Sequence, residues 1–421
     1  MATITPTYPG SGNDCYSVLN TAFGSAVDGD VVDISAWSGT VIMTQFIDIP
    51  NFVSFKGPGL SNLTIKRSEA SSDANLSSWS YMFRWSKVSD KKSNIKVSGI
   101  TFKSRIPSAN NGADGFSIAP DKGCVFLYQV GFRVTGCRFE NFGNGGVEVR
   151  HRDYLAQGLI DHNEFYHNAK GSTGLGLGYG ITVYGEANYW VSNPNYGSPN
   201  FIFIEDNTFD YHRHSVASAG CALYVLRYNT IRFNIIAPPY SHAVDTHESR
   251  GVGNGVNTFG TRAVEIYNNS IINSTRIDGT TPMANGCPDN QLEERAIGIT
   301  AGDALVYSNT ISGFRFAIGL ISSEATASGS PYPYIQQPGW LSGLRNSGST
   351  GTDNFNGNGD LWYWNNNFTT FTLTGGGTCV LFYNYDASGG TTGTYFTINR
   401  DYHAIAKPGY VGYVYPHPDN V

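Results

Sequence analysis

Charge is scarce in this chain. Only 14% of its 421 residues are Asp, Glu, Lys or Arg, and 27 basic against 33 acidic residues leave a net charge of −6. No basic stripe is present, which argues against nucleic acid as a partner. A mildly acidic protein can still take an acidic polymer where its groove is locally basic. Long apolar runs are missing as well. No stretch reaches the ~18 apolar residues that read as a membrane span. The opening, MATITPTYPG, has neither a basic segment nor an apolar core of signal-peptide kind. Expected localisation is extracellular, with the export signal either removed or of another kind, as for a viral structural protein. Six cysteines, at 15, 124, 137, 221, 287 and 379, form no Cys-x-x-Cys pair. That counts against a zinc ribbon and leaves buried thiols, or one or two disulfides in an oxidising compartment.

Abundance lies elsewhere. There are 50 Gly, 26 Tyr and 24 Phe. Aromatic residues punctuated by Gly and Asn suit many short strands and many turns. A chain of 421 residues exceeds one ordinary compact domain. A solenoid escapes that limit because each repeat packs only on its neighbours.

A repeat is present. An apolar residue, two others, Asn, one residue and then Phe or Ile recur as Ile160-Asp-His-Asn163-Glu-Phe165 and Ile204-Glu-Asp-Asn207-Thr-Phe209. Further copies end at Asn229-Thr-Ile231, Asn269-Ser-Ile271, Asn309-Thr-Ile311 and Asn366-Asn-Phe368. Val134-Thr-Gly-Cys137-Arg-Phe139 carries Cys in the Asn slot, and Gly99-Ile-Thr-Phe102 is an earlier variant. Asn207 and Asn229 are 22 residues apart, one rung; Asn163 and Asn207 are 44 apart, twice that; the next two spacings are 40, rungs with long loops. Such periods mark solenoids or propellers. A propeller blade needs four strands per repeat and a recurring Trp-Asp or Gly-rich signature, and neither is present. In a solenoid, each Asn would take a left-handed turn conformation and bond the Asn of the next rung, while the following Phe or Ile points into the core.

The predicted fold is therefore all-β: a single-stranded parallel β-helix with an N-terminal helical cap and long rung loops. Residues 1–421 form one domain, with a cap at 1–27, rungs over 28–400 and a tail at 401–421. Val18, Leu19, Ala22 and Phe23 make the apolar stripe of the cap helix. Loop insertions are expected near 170–200 and 322–360.

These rung motifs resemble the pectate-lyase-like superfamily of right-handed parallel β-helix proteins, over roughly residues 28–400. Asn207-Thr-Phe-Asp-Tyr-His-Arg213-His214, Asp245-Thr-His247, Gly260-Thr-Arg262-Ala-Val-Glu265 and the tail Lys407-Pro-Gly-Tyr…Tyr415-Pro-His-Pro are similar to a lyase-like subgroup. The resemblance implies a polysaccharide lyase acting on an acidic, uronate-containing polysaccharide. The Asn-Thr-Asp, Asp-Asp, Gly-His-Gly and Arg-Ile-Lys motifs of polygalacturonase-type hydrolases are absent. A glycoside hydrolase with another carboxylate pair, and a non-catalytic glycan-binding or viral spike β-helix, stay open. A free enzyme would be a monomer, a spike a homotrimer.

Histidine marks the candidate site. Seven of nine lie between 151 and 247: His151, His162, His167, His212, His214, His242 and His247. Alternation along a strand puts His212 with His214, and Asp245 with His247, on shared faces. β-Elimination needs a base at the proton beside the uronate carboxylate, a cation or donors at that carboxylate, and an acid for the leaving oxygen. The candidates are His214 or His247 as base, Asp245 to orient it, Arg213 or Arg262 at the carboxylate, and Tyr184 or Tyr240 as acid. Glu265 and the loop aromatics Trp340, Tyr332, Tyr334, Tyr189 and Trp190 are candidates for substrate binding. The metal is undetermined: no His-Glu-x-x-His motif is present, a transition metal on His with Asp or Glu stays open, and calcium on Glu205, Asp206 and Glu248 is the other option.

Overall fold

A computed structural model of the chain describes residues 1–68, 81–89, 92–104, 123–142, 145–150, 155–166, 178–185, 194–233, 242–247, 260–273, 295–321, 360–369, 380–385, 398–399 and 402–420. Among these, one helix and 32 strands are arranged in three parallel sheets of 12, 10 and 10 strands. Each rung contributes one strand to each sheet. The rung that starts at Gln157 runs Gln157–Asp161 in sheet A, Glu164–Tyr166 in sheet B and Tyr179–Tyr184 in sheet C, then returns to sheet A at Ile202–Glu205. Matched positions stack directly, as in Phe165↔Phe209 and Ile231↔Ile271.

The core follows from that register. Phe102, Phe139, Phe165 and Phe209 form a column inside the solenoid, with successive rings stacked 5.4, 5.0 and 4.8 Å apart. Ile231, Ile271, Ile311 and Phe368 continue it. Gly180 faces this column: a Cβ there would lie 2.9 Å from the Phe209 ring. The Gly-rich stretch near 170–200 therefore contains a strand, Tyr179–Tyr184, whose glycine is required by the bulk stacked opposite.

From the strand Lys92–Ser98 onward the turn from sheet A to sheet B is two residues, and from Asn163 onward the second is the Asn of the repeat. Each Asn Nδ2 donates to Oδ1 of the next: Asn163 to Asn207 at 3.0 Å, Asn207 to Asn229 at 3.1 Å, Asn229 to Asn269 at 3.0 Å, Asn269 to Asn309 at 2.9 Å and Asn309 to Asn366 at 3.0 Å. The backbone N–H of Cys137 donates to Asn163 Oδ1, so the variant motif starts the ladder. The left-handed residue, however, is the one before the Asn. His162, Asp206, Tyr228, Asn268, Ser308 and Asn365 have φ between +52° and +57°. That residue reverses the backbone so that the Asn can aim its amide along the solenoid axis. Its strain, about 1–2 kcal/mol per non-Gly residue, is offset by the buried amide bonds.

The 44-residue spacing is one rung, not two, because Glu164 pairs directly with Thr208. The connections entering and leaving sheet C supply the extra length. From the strand Lys92–Ser98 onward the A-to-B turns stay at two residues, whereas sheet C is joined to its neighbours through segments such as 185–201, 247–262, 273–294 and 322–360. The cap is as expected: helix Tyr16–Ser25 buries Leu19, Ala22 and Phe23, and Phe23 sets its ring against Phe55, Phe83 and Trp85. Cys15, Cys124, Cys137 and Cys221 are buried thiols; Cys287 and Cys379 lie outside the described residues. Among the described residues, no helix is long and apolar enough to cross a membrane.

Candidate active site

Each sheet turns one face outward, and the three faces differ. The outer face of sheet B has strands of three residues carrying surface ion pairs such as Arg232–Asp210 and Arg138–Glu164. The outer face of sheet A is closed by the tail. Leu159, Phe203, Leu223 and Val225 pack there with Tyr413. Arg227, fully buried, donates to Glu205 (2.6 Å) and to the carbonyls of Tyr413 and Val414. Glu205 also accepts the His417 N–H. The outer face of sheet C is the one bordered by long connections on both sides.

Three of the sequence candidates meet on that face. Register stacks Tyr179, His214, His242 and Arg295 in one outward column, and Glu148, Thr182, Ala217 and Asp245 in the next. Tyr184, Ala219 and His247 follow in a third. Asp245 Oδ1 lies 3.0 Å from His242 Nε2, and its Oδ2 lies 3.8 Å from His214 Nε2 and 3.7 Å from His247 Nε2. Three imidazole edges thus face one carboxylate. His214, His242 and Asp245 are buried, while the His247 side chain keeps 34% of its surface exposed.

The protonation pattern can be read from the bonds. His214 Nδ1 is 2.7 Å from the His242 carbonyl oxygen, which only an N–H can satisfy. The His242 N–H also points at that nitrogen from 3.4 Å, but the shorter contact decides the tautomer. His214 Nε2 therefore presents a lone pair toward Asp245. His242 donates Nε2–H to Asp245, leaving its Nδ1 buried and without a hydrogen-bond partner among the described residues. Burial pushes His214 well below the ordinary histidine range, against the pull of Asp245, and Arg213 and His242 push the same way. Burial also lowers His242, with Arg295 contributing. Asp245 goes down as well: burial alone would raise it, but the three imidazoles and the bond from His242 outweigh that. The result is an ionised Asp245 carboxylate beside two neutral rings, His214 and His242.

The neighbouring groups complete the face. Glu148 is fully buried and accepts from Tyr81 Oη (2.5 Å), Arg150 Nε (2.6 Å) and Thr182 Oγ1 (3.3 Å). Arg150 lies over the Tyr184 ring at 5.4 Å. Burial raises the Tyr184 hydroxyl well above its usual range, so it stays protonated. Sequence reasoning passed over His242 as a site residue, and did not single out Arg295, Glu148 or Arg150. The spacing carried no signal for His242: three apart on a strand, His242 and Asp245 would alternate to opposite faces, yet His242 Nε2 lies 3.0 Å from Asp245 Oδ1.

Other candidates lie elsewhere. Arg262 is buried behind sheet A, 3.0 Å from Asp303. Glu265 accepts the Gly197 N–H (2.8 Å) and the Tyr410 hydroxyl (2.5 Å). Both belong to the tail-covered face and not to the histidine cluster, because the strand Ala263–Tyr267 is in sheet A. Glu205 and Asp206, considered for calcium, are engaged by Arg227 and by the Tyr415 hydroxyl. His212 precedes its strand and sits against the Phe209 ring, so the alternation that would pair it with His214 has not begun there. His162 is an exposed turn residue bonded to Asp161. Tyr240, Trp340, Tyr332, Tyr334, Tyr189, Trp190, Glu248, His151 and His167 lie outside the described residues.

No protein-family model matches the chain, and no curated protein does. Solved structures do. The endo-xylogalacturonan hydrolase of Aspergillus tubingensis aligns with a TM-score of 0.50 at 12% identity, over 91% of this chain and 88% of that one. A mannuronic-acid-specific family 6 polysaccharide lyase from human gut microbiota aligns at 0.44 and 15% identity, over 87% and 74%. PfbA, a surface adhesin of Streptococcus pneumoniae, aligns at 0.39 and 13%, over 74% and 86%. The chain thus has the right-handed parallel β-helix fold, and at these identities the likeness speaks for fold alone.

Proposed function

We propose that the outer face of sheet C is the active groove of a carbohydrate-active enzyme, and that it cleaves a uronate-containing polysaccharide by β-elimination. One observation carries the reading: a buried, ionised Asp245 ringed by His214, His242 and the part-exposed His247, on the face that the long connections border. In this reading His247 is the base. It is the imidazole of the cluster that reaches solvent, and Asp245 orients it and stabilises the imidazolium formed when it takes the proton. Arg213 and Arg295 put positive charge beside the cluster, where negative charge builds on the uronate carboxylate. Tyr184, protonated and two rungs from His247 in the same column, supplies the proton for the leaving oxygen.

Among the described residues, distance disfavours hydrolysis by Glu148 and Asp245 as a carboxylate pair. Glu148 and Asp245 are three rungs apart in one column, roughly 14 Å at ~4.8 Å per rung. Inverting and retaining pairs work at about 5–9.5 Å.

The test is a panel of alginate, pectate, glucuronan and glycosaminoglycans. Expected is a rise in the ultraviolet absorbance of unsaturated uronate with at least one polymer. New reducing ends without that rise would replace elimination by hydrolysis. Retained binding with neither signal would make the protein a glycan-binding β-helix, and light scattering would then separate a monomer from a trimeric spike.

A further inference from the structure

We infer that His214, His242 and Asp245 form a binding site for one divalent first-row transition metal, of which Zn2+ best suits the donor set. Each offers one ligand atom, an imidazole nitrogen from each histidine and a carboxylate oxygen from the aspartate, all within 4.8 Å of one another. His242 Nε2 lies 3.0 Å from Asp245 Oδ1 and His214 Nε2 lies 3.8 Å from Oδ2, each within a few tenths of the ~3.4 Å edge expected when nitrogen and oxygen donors sit about 2.0–2.1 Å from a tetrahedral zinc. Three protein ligands leave a fourth position open, the pattern of catalytic rather than structural zinc.

Independent features point the same way. The His214 ring is held by Nδ1–H donation to the His242 carbonyl, so Nε2 is presented as a donor lone pair before any metal arrives. Gly298 keeps the surroundings of the second donor open: a Cβ there would stand 3.1 Å from His242 Nε2 and 2.9 Å from Cδ2. Coordination needs His242 to release its Nε2 proton. The unpartnered Nδ1 of the same ring receives it, so the ring stays neutral and no net proton is lost. One carboxylate and two neutral imidazoles leave a site charge of +1. An anionic group of a ligand can fill the fourth position. The role of the metal as the cation for a uronate carboxylate rests on the lyase reading; its binding does not.

Equilibrium dialysis of the full chain, stripped with chelator and then offered Zn2+, tests the inference by metal analysis. One equivalent per chain is expected, falling at least tenfold in affinity in His214→Ala and Asp245→Asn, and in Gly298→Val. His247→Ala is expected to keep the metal. X-ray absorption at the zinc edge of the loaded wild-type protein covers variants that fail to fold. It must show a shell of nitrogen and oxygen donors with multiple scattering from two imidazole rings. No stoichiometric binding, binding indifferent to all three substitutions, or a shell without imidazole overturns the site. Binding without action on any polymer would leave the site standing and remove the lyase reading. Full activity in chelator-stripped, metal-free protein would leave the lyase reading standing and remove the metal's role as the cation for the uronate carboxylate.

Discussion

Asp245 is the residue on which the proposed chemistry turns. Its carboxylate faces three rings, yet only His247 keeps an exposed edge. Removing the base should cost more than removing its orienting partner. His247→Ala is expected to lower kcat at least ~100-fold, the range of general-base contributions, with little change in binding. Asp245→Asn should also lower kcat while leaving the far-ultraviolet circular dichroism unchanged. Arg262→Lys is the contrasting variant. Its guanidinium serves Asp303 behind sheet A, so turnover should stay within about twofold of wild type. Steady-state kinetics on whichever polymer responds would check all three, and an Arg262→Lys variant as impaired as His247→Ala would contradict the assignment of faces.

At the scale of elements, the two-residue turn and its Asn matter most. Asn229 Oδ1 accepts from the backbone N–H and the side chain of Asn207, while its Nδ2 serves the Ile204 and Arg227 carbonyls as well as Asn269. Asn229→Ala therefore strands groups in two rungs. Each buried group left unsatisfied costs about 1–3 kcal/mol. A lowered urea midpoint, with the slope of the transition unchanged, is the expected readout. The tail is the other element with a clear energetic role. Arg227→Ala would leave Glu205 buried without its cation, a change of about 3–5 kcal/mol, and would free the Tyr413 and Val414 carbonyls. Limited proteolysis should then cut within residues 405–420, where the wild-type tail resists.

For the whole molecule, the β-helix gives each of its three faces a separate task. Sheet B faces solvent with surface ion pairs. Sheet A is sealed by the chain's own C-terminal segment, which removes it as a substrate surface. Sheet C carries the histidines gathered around Asp245. This division explains why two groups of candidates with similar sequence credentials separate. Arg262 and Glu265 resemble site residues in composition and spacing, but the strand that carries them belongs to a covered face.

Much of this architecture was legible in the sequence. The Asn slot, the inward Phe or Ile two residues later and the capping helix follow from local periodicity and turn chemistry, which act within a few residues. They determine that the chain stacks as rungs and where its core lies. Three things were not legible. The left-handed position fell one residue earlier than expected, because the demand comes from aligning amides between rungs and not from Asn itself. The 44-residue interval was one rung, because insertion length leaves no mark on the register of the flanking strands. Which histidines meet was decided only by stacking: His214, His242 and Asp245 are separated by up to 31 residues, and parallel pairing brings them to one carboxylate. The sequence by itself determined the solenoid, since its repeat is local; the tertiary structure decided the site, since neighbours across rungs are set by which strand lies beside which.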